Sequence, residues 1–476
     1  MANTNRRPTL LDAEARGGDN AEGGFSFQEA VLMASIPLWL AQDGFTMVIR
    51  EALADTEAAY FLPGHGLVRD AIEAKNYSLT PAMFWEEIER FQKLDRGSPG
   101  TFQWFTLAST GVSVGLSPLV NGLRRLRDPY EFYGIGSGVA EASFAEYVAK
   151  VEALGRTHDD ARFLFERVLI VDDWTPGGAN AEVIFRGRLE AQSPEFAKYP
   201  SAAGKSAFHD LLALVKLRKA KPIYRHEIEA VLDAARPAGQ PRPSRILRVH
   251  TAKDDIASPA GVLKLDWQVF FRGGARTYPP TAAWERVTRD LATTVRWIQE
   301  TGRPRRIRLS GDRRLSTAIA LGAHFSAVAG CSIEMEYRGE LWATDRHPAA
   351  STKRQSIAES SSSGTGPGLV VSIGVVRPVS GDVDVHVGKS ELAGAPSLHL
   401  LVPEAISSPE EANALAGQLK DLIAARVAKL NSARIHLYYG GPAHLALFLG
   451  HRWNTSLPTQ LYEWCRAGEY CPTVRI

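Results

Sequence analysis

Apolar residues fill most of FSFQEAVLMASIPLWLAQDG (residues 25–44), a pattern that predicts a buried helix. The segments FTMVIREALADTEAAYF (45–61) and LVRDAIEAKNYSLT (67–80) predict strands. Thr80-Pro81 then opens a helix, because Thr serves as an N-cap and Pro suits the first turn; Phe84, Ile88 and Phe91 give that helix its core face. TFQWFTLAS (101–109) is a further predicted strand, and the chain to about residue 235 reads as largely helical.

The C-terminal half repeats a pattern. AWERVTRDLATTVRWIQETGRPRRIRLSGDRRLSTAIALGAHF and EEANALAGQLKDLIAARVAKLNSARIHLYYGGPAHLALFLGHRW each read as an amphipathic helix, a strand (IRLSG or IHLYYGG), a glycine turn and a small-residue helix carrying Leu-Gly. Ala318, Ile319, Leu321 and Gly322 align with Ala446, Leu447, Leu449 and Gly450 at a constant offset of 128 residues. That spacing predicts two duplicated α/β units, because solenoid repeats are shorter, at roughly 20–50 residues.

Two stretches break the pattern. ARPAGQPRPSR, ending at Arg245, holds three prolines and a glycine and predicts a linker. STKRQSIAESSSSGTGPG (Ser351–Gly368) predicts a flexible loop between the repeated units. Residues 1–24, polar and Gly-rich, predict a disordered lead without the apolar core of a signal peptide.

Composition narrows the classes. With 476 residues, 45% hydrophobic and 23% charged, the chain has room for two or three cored domains at roughly 150 residues each. The apolar stretches fall short of a span of about 20 residues, so neither export nor membrane crossing is predicted. Cys331, Cys465 and Cys471 make an odd number without CxxC spacing, which points to the reducing cytoplasm and away from a disulfide framework or zinc ribbon. The net charge of +2 excludes a polycation, yet it hides a gradient of −6 over residues 1–236 and +8 over 237–476. Residues Lys205–Arg248 carry 10 basic and 4 acidic side chains, a candidate surface for DNA phosphates.

The first half concentrates candidate chemistry between Glu51 and Lys75. Strand alternation puts Glu73 and Lys75 on one face, and Asp55 with Glu57 on one face of the preceding strand. An acid on one strand beside acid-x-Lys on the next is the PD-(D/E)xK arrangement. Carboxylates supply oxygen ligands to Mg²⁺, the metal lowers the pKa of a bound water, and the lysine orients or deprotonates that water. Asp55 and Glu73 are the candidate metal ligands, with Asp55 or Glu57 left open as the first acid. Gly24-Phe25-x-Phe27-Gln28, then Glu51, Asp55 and Glu73-Ala-Lys75, resemble the nuclease domains fused to nucleotide sensors in bacterial antiphage systems. The resemblance implies catalytic roles for Asp55, Glu73, Lys75, Glu51 and Gln28.

Three other patterns compete. Gly111-Val-Ser113-Val-Gly115 fits a nucleophile elbow after a strand, but no histidine or acid is spaced to complete it. Gly204-Lys205-Ser206 ends like a phosphate-binding loop, but Tyr199 replaces the leading glycine. His444, His451, Cys465 and Cys471 lack the spacing of a metal set.

In the second half, a strand ending in glycine before a helix presents N–H groups to an anion. LSGDRRLSTAIALGAHF, GELWATD (Gly339–Asp345) and YYGGPAHLALFLGHRWN resemble the SAVED domain, a fused pair of CARF-like units. The whole chain therefore resembles the SAVED-fused nuclease effectors of CBASS, the cyclic-oligonucleotide-based antiphage system. The fold implied is α/β, with a restriction-endonuclease-like domain and helical extension over 25–236 and two CARF-like Rossmannoid units over 243–476. The activity implied is metal-dependent cleavage of double-stranded DNA, switched on when a cyclic di- or trinucleotide made by a nucleotidyltransferase drives homo-oligomerisation. The ligand residues implied are Gly311, Arg313 and Arg314 in the first turn and Gly440, Gly441 and His444 in the second, with Trp342 expected to stack a base and Thr344 and Asp345 to read its edge. The alternative is a non-enzymatic sensor whose N-terminal half recruits a partner.

Overall fold

The computed structural model describes residues 22–128, 130–133, 137–174, 178–193, 196–198, 201–240, 245–253, 259–270, 279–349, 355–366 and 368–453 together with 457–476. The chain divides into two compact units, 1–243 and 244–476. Of the predicted lead, residues 1–21 lie outside the described residues, and from Glu22 the chain is already helical. Residues 241–244 of the predicted linker also lie outside them.

The first unit begins with α1 (Glu22–Leu40), β1 (Phe45–Arg50), β2 (Thr56–Leu62), β3 (Gly66–Leu79), α2 (Pro81–Gly97) and β4 (Phe102–Val112). It continues through α3 (Ser117–Arg127), α4 (Tyr130–Tyr133), α5 (Gly138–Glu152), α6 (His158–Arg167), β5 (Val168–Val171), α7 (Gly178–Gln192), α8 (Ser201–Leu217), β6 (Ile223–Tyr224) and α9 (Arg225–Ala234). The sheet runs β5-β4-β3-β2-β1-β6; β1, β2 and β3 form an antiparallel meander, and α2 crosses over to β4, parallel to β3. Both faces are covered. Ile72 and Ala74 of β3 pack under α1 with Phe185, Phe208 and Leu211, which is why α1 is apolar nearly all round. Ala71 faces the opposite cluster of Phe84, Ile88, Phe91, Phe105 and Leu107. Thr80 caps α2 by accepting from the Met83 N–H, as predicted, and Phe84, Ile88 and Phe91 are fully buried.

The second unit holds two sheets. The first is built from β7 (Leu247–Ala252), β8 (Leu263–Asp266), β9 (Arg306–Gly311), β10 (Ser332–Tyr337) and β11 (Glu340–Ala343), with α10 (Thr281–Glu300) and α11 (Leu315–His324). The second is built from β12 (Ala358–Ser362), β13 (Leu369–Val375), β14 (Ser397–Val402), β15 (Ile435–Gly440), β16 (Thr459–Arg466) and β17 (Glu469–Arg475), with α12 (Ser380–Gly388), α13 (Pro409–Leu430) and α14 (Ala443–Arg452). The order β11-β10-β9-β7-β8 corresponds strand for strand to β17-β16-β15-β13-β14, each with a parallel core and an antiparallel final hairpin, and β12 adds a sixth, edge strand to the second sheet. The duplication read from the sequence is thus a duplication of sheet topology.

One loop expectation is corrected. Within Ser351–Gly368, residues Ala358–Ser362 form an edge strand antiparallel to β14, closed by Ser362 Oγ to Ser397 Oγ at 2.8 Å. All five residues are exposed, so the strand needs no apolar alternation. Residues 351–354 and 367 of that stretch lie outside the described residues. No helix among the described residues is long and apolar enough to cross a membrane.

Candidate functional site

In the first unit, the register Thr56↔Ile72 sets Asp55, immediately before β2, beside Glu73. Asp55 Oδ2 accepts from the Ala74 N–H at 2.8 Å, and the Asp55 charge acts on the carboxyl of Glu73. Alternation along β3 turns Glu73 and Lys75 away from α1 and toward α2. There α2 adds two residues that sequence reasoning missed. Lys75 Nζ lies 2.5 Å from Glu87 Oε1 and 3.6 Å from Glu73 Oε2. Arg90 Nη1 lies 2.6 Å from Glu73 Oε1 and 3.3 Å from Glu87 Oε2, while its Nη2 donates to the Leu53 carbonyl at 2.9 Å. Glu87 and Arg90 were hidden because an i,i+3 acid–base pair is ordinary on a solvated helix face.

Electrostatics of the cluster follow from burial. Glu73 is only 2% exposed. Burial holds both Asp55 and Glu73 above the usual carboxylate range; for Glu73, Asp55 adds to the rise, while Arg90 and Lys75 oppose it. Burial pulls Lys75 down, but Glu73, Glu87 and Asp55 outweigh it, so the ammonium is held charged. Glu73 Oε1 is buried without a hydrogen bond among the described residues, its contact with Arg90 being an ion pair out of hydrogen-bond alignment. Among the described residues no three His, Cys, Asp or Glu side chains converge as a metal cage. Two adjacent carboxylates fit Mg²⁺, which keeps several waters and takes one or two protein carboxylates.

Three expected neighbours stand apart. Glu57 donates nothing to this cluster: its Oε1 accepts from the Leu53 N–H at 2.8 Å and its Oε2 pairs with Arg69 at 3.2 Å. Glu51, at φ +52°, sends its side chain to Arg50 and Lys219, although its N–H donates to the Asp55 carbonyl. Gln28 stands on α1, the helix covering the opposite face of β3, next to Glu29, which pairs with Arg50 and Lys216. The basic stretch is also largely spoken for: Lys216, Arg218, Lys219, Arg225 and Arg236 pair with Glu29, Glu227, Glu51, Glu229 and Asp233. Ser113 Oγ is buried with no hydrogen bond among the described residues, so no histidine activates it.

In the second unit, the turns after β9 and β15 meet around Arg313 and His444, where the guanidinium charge disfavours protonation of the imidazole. His444 is packed by Tyr337 and Trp342, with ring centroids 4.2 and 4.6 Å away, and Arg338 lies over the Tyr337 ring. Burial, reinforced by Arg338 and Arg313, pushes His444 down to about 4, so the imidazole is neutral; its Nε2 has no hydrogen bond among the described residues. Burial lowers Arg313 to about 10, with Asp312 opposing the shift. Its Nη1 likewise has no hydrogen bond among the described residues. A desolvated guanidinium beside neutral imidazole and aromatic rings suits a phosphate flanked by a base. Sequence reasoning missed Tyr337 and Arg338, though they sit just before Gly339–Asp345; Arg338 and Gly339, both at positive φ, form the two-residue turn between β10 and β11.

Other expected ligand residues have structural positions. Arg314 donates to the Phe270 carbonyl and pairs with Glu463 at 3.1 Å, while Glu463 Oε1 accepts from the Ser316 N–H. The N-terminus of α11 therefore already holds a carboxylate. Thr344 is buried, accepts from the Ile333 N–H and meets His451. Trp342 is buried against His444 and Phe448, and Asp345 is exposed. Gly311, at φ +85°, has no room for a Cβ, which would meet the Thr251 carbonyl at 2.1 Å. Gly440 and Gly441 are similarly closed by Val379 and by Tyr439 with Val375.

Comparison with known proteins matches both halves. Residues 291–476 match the SAVED domain, described as the SMODS-associated and fused to various effectors sensor domain. The chain is 28% identical over 470 residues to CD-NTase-associated protein 4 of an Acinetobacter species, covering 98% of this chain and 99% of that protein. It is 25% identical to the Moraxella osloensis protein of the same name over 98% and 99% of the two chains. The Acinetobacter baumannii Cap4 SAVED/CARF-domain containing receptor with the cyclic trinucleotide 2'3'3'-cAAA superposes with TM-score 0.81 at 27% identity, over 96% of this chain and 99% of that one. Residues 291–476 of the C-terminal unit thus match a SAVED sensor domain, and nearly the whole chain is similar to the proteins named CD-NTase-associated protein 4 and to a solved Cap4 SAVED/CARF-domain containing receptor.

Proposed function

We propose that the chain is a cytoplasmic CBASS effector: a Mg²⁺-dependent endonuclease that cleaves double-stranded DNA when its SAVED unit binds a cyclic oligonucleotide. The observation that carries the reading is Asp55 beside Glu73-x-Lys75 on an α1-β1-β2-β3-α2-β4 frame. This is the order of a restriction-endonuclease-like core, and it favours Asp55 over Glu57 as the first acid. Asp55 and Glu73 would hold the metal, which when bound lowers the pKa of water and neutralises phosphate charge. Lys75, held protonated by its acidic neighbours, serves as a cation that orients the scissile phosphate rather than as a base. Arg313, Tyr337, Arg338 and His444 would receive the phosphate and a base of the activator, and the ligand solved with the Acinetobacter baumannii receptor makes a cyclic trinucleotide the first to test. Ligand-driven self-assembly, implied by the resemblance, would couple binding to cleavage.

The test is plasmid degradation by the purified chain with a panel of cyclic di- and trinucleotides, with Mg²⁺ or EDTA. Activity is expected with at least one nucleotide, lost in EDTA, and reduced at least 100-fold by Lys75→Ala with nucleotide binding retained. Undiminished cleavage by Lys75→Ala would remove the site. Nucleotide binding with no nicking under any condition would instead support a sensor that recruits a partner.

A further inference from the structure

We infer that Arg90 is a positioning residue that sets the spacing between the two carboxylates of the metal site. The inference rests on the nuclease reading above. Asp55 and Glu73 come from different elements, the loop before β2 and the middle of β3. A site made from two elements needs something to fix their separation. The Asp55–Ala74 hydrogen bond supplies one tie. Arg90 supplies the other: Nη1 meets Glu73 Oε1 at 2.6 Å, and Nη2 donates at 2.9 Å to Leu53, in the loop that carries Asp55. One planar guanidinium therefore holds the strand and the loop at once, a task that its rigid fork suits and a single ammonium does not.

Glu87 keeps this fork in place. It stands one helical turn before Arg90, pairs with it at 3.3 Å and holds Lys75 with its other oxygen at 2.5 Å. Arg90 pairs with Oε1 of Glu73, while Oε2 lies 3.6 Å from Lys75 Nζ. A cation beside a metal site also repels the metal. The anchoring outweighs this repulsion, because the guanidinium is committed to Glu73, Glu87 and a carbonyl, and loss of an outer-shell partner typically costs roughly 10- to 100-fold in metal affinity.

The experiment is isothermal titration of Mn²⁺ into the full chain without DNA or nucleotide, for the wild type, Arg90→Met and Arg90→Lys, with thermal melts alongside. Mn²⁺ affinity is expected to fall at least tenfold in Arg90→Met. It should fall at least threefold in Arg90→Lys, which keeps the charge but cannot span Glu73 and Leu53, and whose melt should stay near that of the wild type. If Arg90→Met fails to fold, Arg90→Lys alone decides. Wild-type affinity in folded Arg90→Lys and Arg90→Met, or in Arg90→Lys alone where Arg90→Met is unfolded, overturns the positioning role and leaves the nuclease reading standing. A wild type that binds no Mn²⁺ overturns both.

Discussion

Asp70 shows how one residue can burden a fold. It lies three residues before Glu73 on β3 and on the opposite face, at a cavity of about 420 Å³ lined by Trp39, Tyr60, Trp104 and Trp174. Burial raises its pKa to about 7, against hydrogen bonds from the Tyr60 hydroxyl and the Trp104 N–H, and its Oδ1 has no hydrogen bond among the described residues. A folded pKa above the unfolded value of 3.8 means that the native state favours the neutral acid. Stability from this group is therefore full below about pH 4 and is lost as pH rises through about 7. Asp70→Asn removes the charge while keeping an acceptor for Tyr60 and Trp104. Urea unfolding should show the variant gaining about 2 kcal/mol on the wild type between pH 5 and pH 8. An unchanged difference at the two pH values would show that Asp70 is solvated.

At the scale of elements, the repeated Leu-Gly becomes a helix crossing. Gly322 of α11 and Gly450 of α14 face each other in symmetric fashion: a Cβ on Gly322 would sit 2.2 Å from the Leu447 carbonyl oxygen, and one on Gly450 would sit 2.1 Å from that of Ile319. Ile319 and Leu447 are themselves partners at the 128-residue offset. Backbone, not a side-chain tip, blocks the added methyl, so Gly322→Ala must push the helices apart at a cost of about 2–4 kcal/mol. Thermal melts should show that loss, while Gly417→Ala on α13, where nothing lies within 4 Å, should be neutral or stabilising. Wild-type stability in Gly322→Ala would mean the helices do not meet at these glycines. The duplication was legible because close packing demands the same residue type twice; the crossing itself was not, because a repeated Leu-Gly does not say what each glycine meets. The edge strand β12 was not, because an exposed edge of serines carries no alternation. Glu73 and Lys75 were readable from strand periodicity; Asp55 was not, because the segment expected as one strand over 45–61 turns back on itself between Arg50 and Thr56 and leaves Asp55 in the loop before β2. Arg90 and Glu463 act through contacts between residues far apart in sequence, which no local pattern encodes.

For the whole molecule, the net charge of +2 is a sum over parts with separate structures. The core clusters of the first unit draw on residues from Phe27 to Leu232, and the cluster over the second sheet of the other unit draws on Val370 to Tyr470. Residues 244–476 form a compact unit of their own, and this unit should hold its own stability and its own ligand. A fragment of residues 245–476 is expected to melt cooperatively and to bind the activating cyclic nucleotide within about threefold of the full chain's affinity. A ligand at 100 times Kd adds about 2.7 kcal/mol by mass action. In a unit of this size that is a rise in melting temperature of roughly 5–10 °C. The same fragment should cleave no DNA, because Asp55, Glu73 and Lys75 are absent from it. A fragment that folds but loses more than tenfold in affinity would show that the first unit completes the pocket, and an unfolded fragment would show that the two units stabilise each other.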